Sequence, residues 1–298
     1  AAPKSDWLPI APEDLLVMTL APDAAGNPRQ VVIQLMPAPF SQGWVHNIRL
    51  LAQSGWYDGI SVNRVQDNYV VQWGDPNYDN PEASGPAKPL PEGLKVMGEE
   101  EYVARLMPIS PVAPMQDERT EPRATRKDPY AETEFIRGWP VGRKNAVFWP
   151  VHCYGMVGVG RNYSPDTGSG AELYTVIGHA PRQLDRNIAL VGRVIEGMEH
   201  LSSLPRGKGE LGFYAEFEKD KRTPIVSVRV ASNLRAGEQS ASSSETVGDK
   251  YAFEYLSTDS ESFARYAEAR ANRRDPFYIH PAGGADICNI PVPVRRAG

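Results

Sequence analysis

The chain has 298 residues, 41% of them hydrophobic and 23% charged, a balance that fits a globular protein of one or two domains and excludes a disordered or fibrous one. Its net charge of −5 argues against nucleic acid as a main partner, because a phosphate-binding face needs a basic excess. No apolar run approaches the roughly 20 residues that a membrane-spanning helix requires.

In chain order, residues 1–27 are rich in proline and acids, and 13–18 is their one strand-like run. It is expected to be an edge strand, leading through the turn Gly26-Asn27-Pro28 into a second strand at 31–35. Ser41 or Gln42 opens a short amphipathic helix in which Val45, Ile48, Leu51 and Ala52 share a face, and Ser54-Gly55 closes it. Strands follow at 60–65 and 69–74. Val62 and Arg64, then Tyr69, Val71 and Trp73, recur at alternate positions, the period of a strand. The turn residues Asp67-Asn68 reset the phase between the two runs, and Gln72 falls on the face opposite Val71 and Trp73.

Residues 76–148 are dense in proline, with one short helix expected at 99–106. Aromatic residues within it or at its end (Tyr78, Tyr102, Tyr130, Phe135, Trp139, Phe148, Trp149) are expected to pin the segment at least partly to the surface of the surrounding domain. Residues 225–230 alternate as a strand, and 235–249 form a polar linker with no means of packing a core. Beyond it, 251–256 reads as a strand and 260–273 as a helix capped by Asp259, with Phe263, Tyr266 and Ala267 near one face. The last 50 or so residues hold too few apolar groups to fold alone and are expected to dock on the preceding domain or on the 76–148 segment.

The chemistry points to Arg64 and Gln72. A guanidinium is a rigid, permanently charged fork of donors, and beside a small apolar pocket it suits recognition of a planar amide. The run Tyr57-Asp58-Gly59, Arg64-Val65, Tyr69, Gln72 and Gly74-Asp75 resembles, without a gap, the Y-D-G-x-x-F-H-R-V-x-x-x-F-x-x-Q-G-G-D pattern of the cyclophilin family of peptidyl-prolyl isomerases. Residues 31–39 resemble that family's first strand and proline-rich turn, and 45–51 its first helix. Gly168 to Tyr174 is similar to its G-S-Q-F-F strand, and Leu184-Asp185 with Val191 to Met198 to its L-D-G…V-F-G-x-V-x-x-G-M block. The similarity covers roughly residues 28–75 and 150–232.

The resemblance implies a mostly β protein, a closed antiparallel eight-stranded barrel capped by two helices. It spans 1–234, with 76–148 as an insertion, 235–249 as linker and 250–298 as an extension docked on the barrel. It implies isomerisation of X–Pro bonds with no cofactor and no metal. Arg64 is the candidate catalytic donor, and Gln72 its brace or a holder of the substrate carbonyl. Tyr69, Val70, Leu173 and Tyr174 are expected to enclose the pyrrolidine ring, and the backbone near Gly160 and Arg161 to anchor the peptide as an added strand. Several positions depart from the family pattern. Asn63 replaces a histidine, Trp73 a glycine and Glu172 a glutamine. Gln183 and Ile188 stand at the pocket rim, where tryptophan and histidine are usual.

Other motifs read as structure. The five histidines lack ligand spacing, Gly155 to Gly160 lacks the third dinucleotide glycine, and Ser169 lacks the flanks of a nucleophile elbow. The start at Ala1-Ala2-Pro3 is what signal peptidase leaves, so export to the periplasm or beyond is expected. Cys153 and Cys288 are an even pair that an oxidising compartment would allow to bridge; two separate buried thiols are the other reading. The expected partners are proline-containing polypeptides, and the function assistance to the folding of exported proteins. A catalytically weak binding module and a subunit of a larger assembly, docking through 76–148 or the C-terminal stretch, are the alternatives.

Overall fold

The computed structural model describes residues 2–78, 83–105, 126–234 and 250–298. The linker expected at 235–249 and residue 106 of the expected helix fall outside them. The chain divides into two compact units: Ala11–Tyr102 with His152–Ala252, and Ala1–Ile10 with Val103–Val151 and Phe253–Gly298.

The first unit is a barrel of eight strands: β1 (Leu15–Leu20), β2 (Arg29–Leu35), β3 (Ser61–Val65), β4 (Val70–Gly74), β5 (Met156–Val159), β6 (Leu173–Val176), β7 (Leu190–Glu196) and β8 (Ile225–Val230). Their order around the sheet is β8-β1-β2-β7-β5-β6-β4-β3, and every neighbouring pair is antiparallel. Branched and large apolar side chains are buried along these strands, among them Leu15, Met18, Val31, Val32, Val62, Val71, Trp73, Val159 and Val228.

The barrel is nearly closed rather than closed. Its two end strands, β3 and β8, share no regular ladder and meet through an isolated Ser61–Pro224 bridge and bonds from Gly59 N to Ile225 O (2.9 Å), from Val62 N to Thr223 O (2.9 Å) and from Ile225 N to Ile60 O (2.8 Å). Pro224 has no N–H to give, so a continuous ladder cannot form there. Helix α1 (Gln42–Gln53) buries Trp44, Val45, Ile48, Leu51 and Ala52 and packs on β7 and β8. The second expected helix is a single turn, α2 (Glu199–Ser202), against β2.

The second unit shows what the proline-dense reading missed. Five strands lie in the order Ala104–Arg105, Val147–Pro150, Trp139–Lys144, Glu132–Ile136, Arg126–Lys127. Two-residue turns at Arg137-Gly138 (φ 49° and 82°) and Asn145-Ala146 join the central three. The helix expected at 99–106 is instead a 3-10 turn, Glu99–Tyr102, after which Ala104 and Arg105 pair with Phe148 and Val147. That ladder partner lies over 40 positions away, beyond the reach of local periodicity.

A smaller sheet pairs Trp7–Ile10 with Phe253–Leu256, and the latter with Val294–Arg296. Helix α3 (Glu261–Ala271) follows. Its N-cap is Ser260, whose Oγ accepts from Phe263 N at 3.1 Å, and not Asp259. Phe263 meets Phe135 edge to face at 4.9 Å within a cluster that includes Leu256, Ala267 and Ile290. Residues 2–10 and the described residues from 103 to 148 therefore fold with the C-terminal stretch, a division other than the 1–234 and 250–298 expected. Among the described residues no helix is long and apolar enough to cross a membrane.

Candidate active site

The β3–β4 hairpin carries the site. Gln66 N bonds Val70 O at 2.9 Å, and Asn68 takes a left-handed conformation (φ 51°) that closes the turn. The register is irregular between Val62 and Arg64. This bulge breaks the alternation expected from the sequence: Val62 and Val65 are buried, while Arg64 turns outward opposite Gln72. Asn63 is left inside, where its amide donates to Gly74 O (3.1 Å) and accepts from Ser61 Oγ (2.7 Å). The position usually held by histidine is thus a structural strut between strands.

Arg64 is half-buried and held on three sides. Its Nε donates to Leu211 O at 2.7 Å, its Nη1 to Gln72 Oε1 at 3.1 Å, and its Nη2 to Gln66 Oε1. The guanidinium also lies 5.5 Å from the Tyr69 ring centroid and 5.4 Å from that of Phe213. Burial pulls its pKa down, and the neighbouring Tyr69 opposes the shift. An arginine stays protonated throughout the physiological range regardless. Gln72 in turn donates from Nε2 to Glu172 Oε2 at 3.3 Å. A carboxylate only accepts, so the glutamate that replaces the usual glutamine fixes the flip of Gln72, with its amide oxygen toward Arg64.

Arg64 and Gln72 line a pocket of about 520 Å³ together with Tyr69, Val70, Gly160, Arg161, Tyr174 and Ile188, all anticipated from the sequence. Its apolar floor is Val70 and Tyr174, with Tyr69, Leu184 and Ile188 packed against them. Three anticipated residues stand elsewhere. Leu173 is 3% exposed and faces the barrel interior, because it adjoins Tyr174 on β6 and strand neighbours point to opposite faces. Glu172 is buried behind Gln72, and Gln183 is exposed outside the pocket lining. Gly160 N is committed to Glu172 O at 2.9 Å, and the Arg161 side chain reaches Asn187 O through Nε (3.1 Å) and Nη2 (2.8 Å).

Leu211 and Phe213 complete the wall over Arg64 and were not anticipated, nor were Ala83, Asn162, Tyr163 and Leu184. Leu211 adopts φ 52°, a conformation unusual for a branched side chain, and its carbonyl is the one that receives Arg64 Nε. Gly207, Gly209 and Gly212 were the local signs of a tight turn there.

Beneath the floor lies a buried polar chain. Tyr174 Oη meets His152 Nε2 at 2.9 Å, His152 Nδ1 meets Asp185 Oδ1 at 2.9 Å, and Arg182 Nε donates to Asp185 Oδ2 at 2.7 Å. Burial, with the charge of Asp185 among the lesser causes, drives the Tyr174 phenol well above its ordinary pKa.

Residues 27–230, more than half of the chain, match the family model described as cyclophilin type peptidyl-prolyl cis-trans isomerase, and the chain belongs to that family. It is accordingly a peptidyl-prolyl cis-trans isomerase. Among solved structures, the cyclophilin AquaCyp293 from Hirschia baltica is similar at 20% identity, over 99% of this chain and 97% of its own, with a TM-score of 0.66; at that identity the likeness speaks for the fold. A cyclophilin-type isomerase of Cryptosporidium parvum, solved in the presence of the dipeptide Ala-Pro, matches at 11% identity over 72% of this chain and 98% of its own, with a TM-score of 0.39. No curated protein matches the sequence.

Proposed function

We propose that this protein isomerises X–Pro bonds of polypeptide substrates with Arg64 as the catalytic donor, and that it assists the folding of exported proteins. The X–Pro amide rotates over a barrier of about 18–20 kcal/mol, set by delocalisation of the nitrogen lone pair. Catalysis needs no nucleophile and no proton carrier. It needs a pocket that holds the pyrrolidine ring and a donor that favours the twisted state, in which the nitrogen is pyramidal and its lone pair accepts a hydrogen bond.

The observation that carries the reading is the Arg64 clamp. Among the described residues three of its five N–H groups are engaged by Leu211, Gln72 and Gln66, which fixes the plane of the fork at the pocket edge. A donor held in place loses little freedom when the transition state forms. The Val70, Tyr174 and Ile188 floor offers an apolar seat for the ring, and Gln72 lines the same pocket beside Arg64.

A protease-coupled assay on a prolyl peptide, with wild type and Arg64→Ala, tests it. Loss of a pocket donor worth about 3 kcal/mol lowers kcat/KM roughly a hundredfold. Equal rates for the two proteins would sink the assignment.

Export is supported by the cysteines: neither is a free thiol in the structure. We infer that Cys153 and Cys288 are bridged in an oxidising compartment. Intact mass after alkylation, with and without prior reduction, tests the pairing. Alkylation without reduction would contradict it.

A further inference from the structure

We propose that His152 is a positioning residue that ties the floor of the prolyl pocket to its rim and thereby sets the pocket's selectivity for a five-membered ring. The inference rests on the reading of this pocket as the seat of proline. Tyr174 presents its ring to the pocket from β6, but its hydroxyl points the other way, into the barrel wall, where His152 Nε2 meets it at 2.9 Å. His152 is 1% exposed and precedes β5. Its Nδ1 and its backbone N both lie against Asp185 Oδ1, at 2.9 and 3.0 Å. Since the carboxylate accepts, Nδ1 carries the proton in the neutral ring, and Nε2 is left to accept from the tyrosine.

Asp185 belongs to the rim. It ends the turn Arg182–Leu184 and is braced there by Arg182 Nε at 2.7 Å, and the pocket-lining Leu184 and Ile188 sit on the same turn and its continuation. One buried imidazole therefore joins two walls of the pocket that come from different parts of the chain. Neither wall can shift without leaving a polar group unpaired in an interior where water does not reach it, a costly state. The neighbouring strand is shaped around this tether: a Cβ at Gly158 would stand 2.3 Å from the Tyr174 hydroxyl. The imidazole and phenol planes are 9° apart, so the tether fixes the tilt of the ring as well as its depth. Gln183 and Ile188 supply no aromatic rim, and the polar chain takes over the work of holding the pocket in shape.

The test compares a prolyl peptide with its pipecolyl analogue, whose imino ring has one more methylene, for wild type, Tyr174→Phe, His152→Ala and His152→Gln. Losing the buried bond between Tyr174 and His152 is expected to narrow the prolyl preference in kcat/KM about fivefold in Tyr174→Phe, and at least as much in His152→Ala, which also loses the bond to Asp185, with the change in KM rather than kcat. His152→Gln, whose amide can accept from Tyr174 and donate to Asp185, is expected to restore most of the preference. A network with a structural role alone would lower the melting temperature and leave the preference unmoved, and that result in folded Tyr174→Phe would overturn the proposal. Should His152→Ala fail to fold, Tyr174→Phe and His152→Gln carry the comparison. If wild type turns over neither peptide, the isomerase reading fails. Dissociation constants for the two peptides, from NMR titration, then decide the proposal by the same criterion.

Discussion

On one side of the pocket, Arg64 and Gln72 sit on adjacent strands of a single hairpin, and Gln66, Gln72 and Tyr69, all within eight residues of Arg64, hold it together with the more distant Leu211 and Phe213. On the other side, Tyr174 is held by His152 and Asp185, which are 22 residues before it and 33 residues beyond His152 respectively. The first wall is built by strand pairing, with the bulge at Asn63 aiming the arginine outward. The second is built by a polar chain between segments that meet only in the finished barrel. Local pairing makes the donor robust, whereas the pocket's shape depends on the whole fold. Perturbations should separate the two.

The largest effect is expected at Trp73, which is 1% exposed and supports the hairpin from inside the barrel. Trp73→Ala should cost about 3–5 kcal/mol in urea unfolding, as truncation of a large buried aromatic does. A cost under 1 kcal/mol would mean that the hairpin does not depend on that packing. Next comes Gly158→Ala, which drives a methyl into the Tyr174 hydroxyl and should destabilise by about 1–3 kcal/mol through overpacking. It should raise KM while leaving the Arg64 wall in place; a fall in kcat alone would blur the distinction between the walls. Gln72→Ala should do the reverse, lowering kcat about tenfold for the loss of one charge-assisted bond to the guanidinium, with peptide affinity nearly unchanged.

The smallest effect is on pH dependence. Burial holds the Tyr57 and Tyr174 phenols well above the ordinary tyrosine value of about 10, so the folded protein keeps protons that the unfolded chain gives up. Their contribution is complete below about pH 10 and is lost as the pH rises from there through the folded pKa. Melting temperature should therefore decline above about pH 10, less steeply in Tyr174→Phe. A melting temperature that rose over that range would contradict the burial of these groups.

The same contrast explains what the sequence made legible. Alternating apolar residues, the turn at Asp67-Asn68 and the ordered family blocks marked out the barrel, the hairpin and the arginine. Leu173 was assigned to the pocket with Tyr174 although strand neighbours face opposite ways, an inference that the two-residue period alone could have corrected. The bulge beside Asn63 left no such mark, because a single displaced residue still reads as alternation. His152 looked like one of five scattered histidines, since its partners are brought to it only by the packing of β6 and the Arg182–Leu184 turn. The strands of 126–150 were hidden behind prolines, although Glu132 to Phe135 alternates charged and uncharged residues and Arg137-Gly138 is a hairpin turn.

The central claim is that catalysis comes from a guanidinium fixed at the pocket edge, and the most direct measurement is cis–trans exchange of a bound prolyl peptide by NMR with wild type and Arg64→Lys. A lysine keeps the charge but not the three-sided clamp, so exchange on the protein should slow at least about tenfold while the dissociation constant changes less than about threefold. Exchange as fast with lysine as with arginine would show that charge alone suffices, and the clamp by Leu211, Gln72 and Gln66 would lose its place in the mechanism.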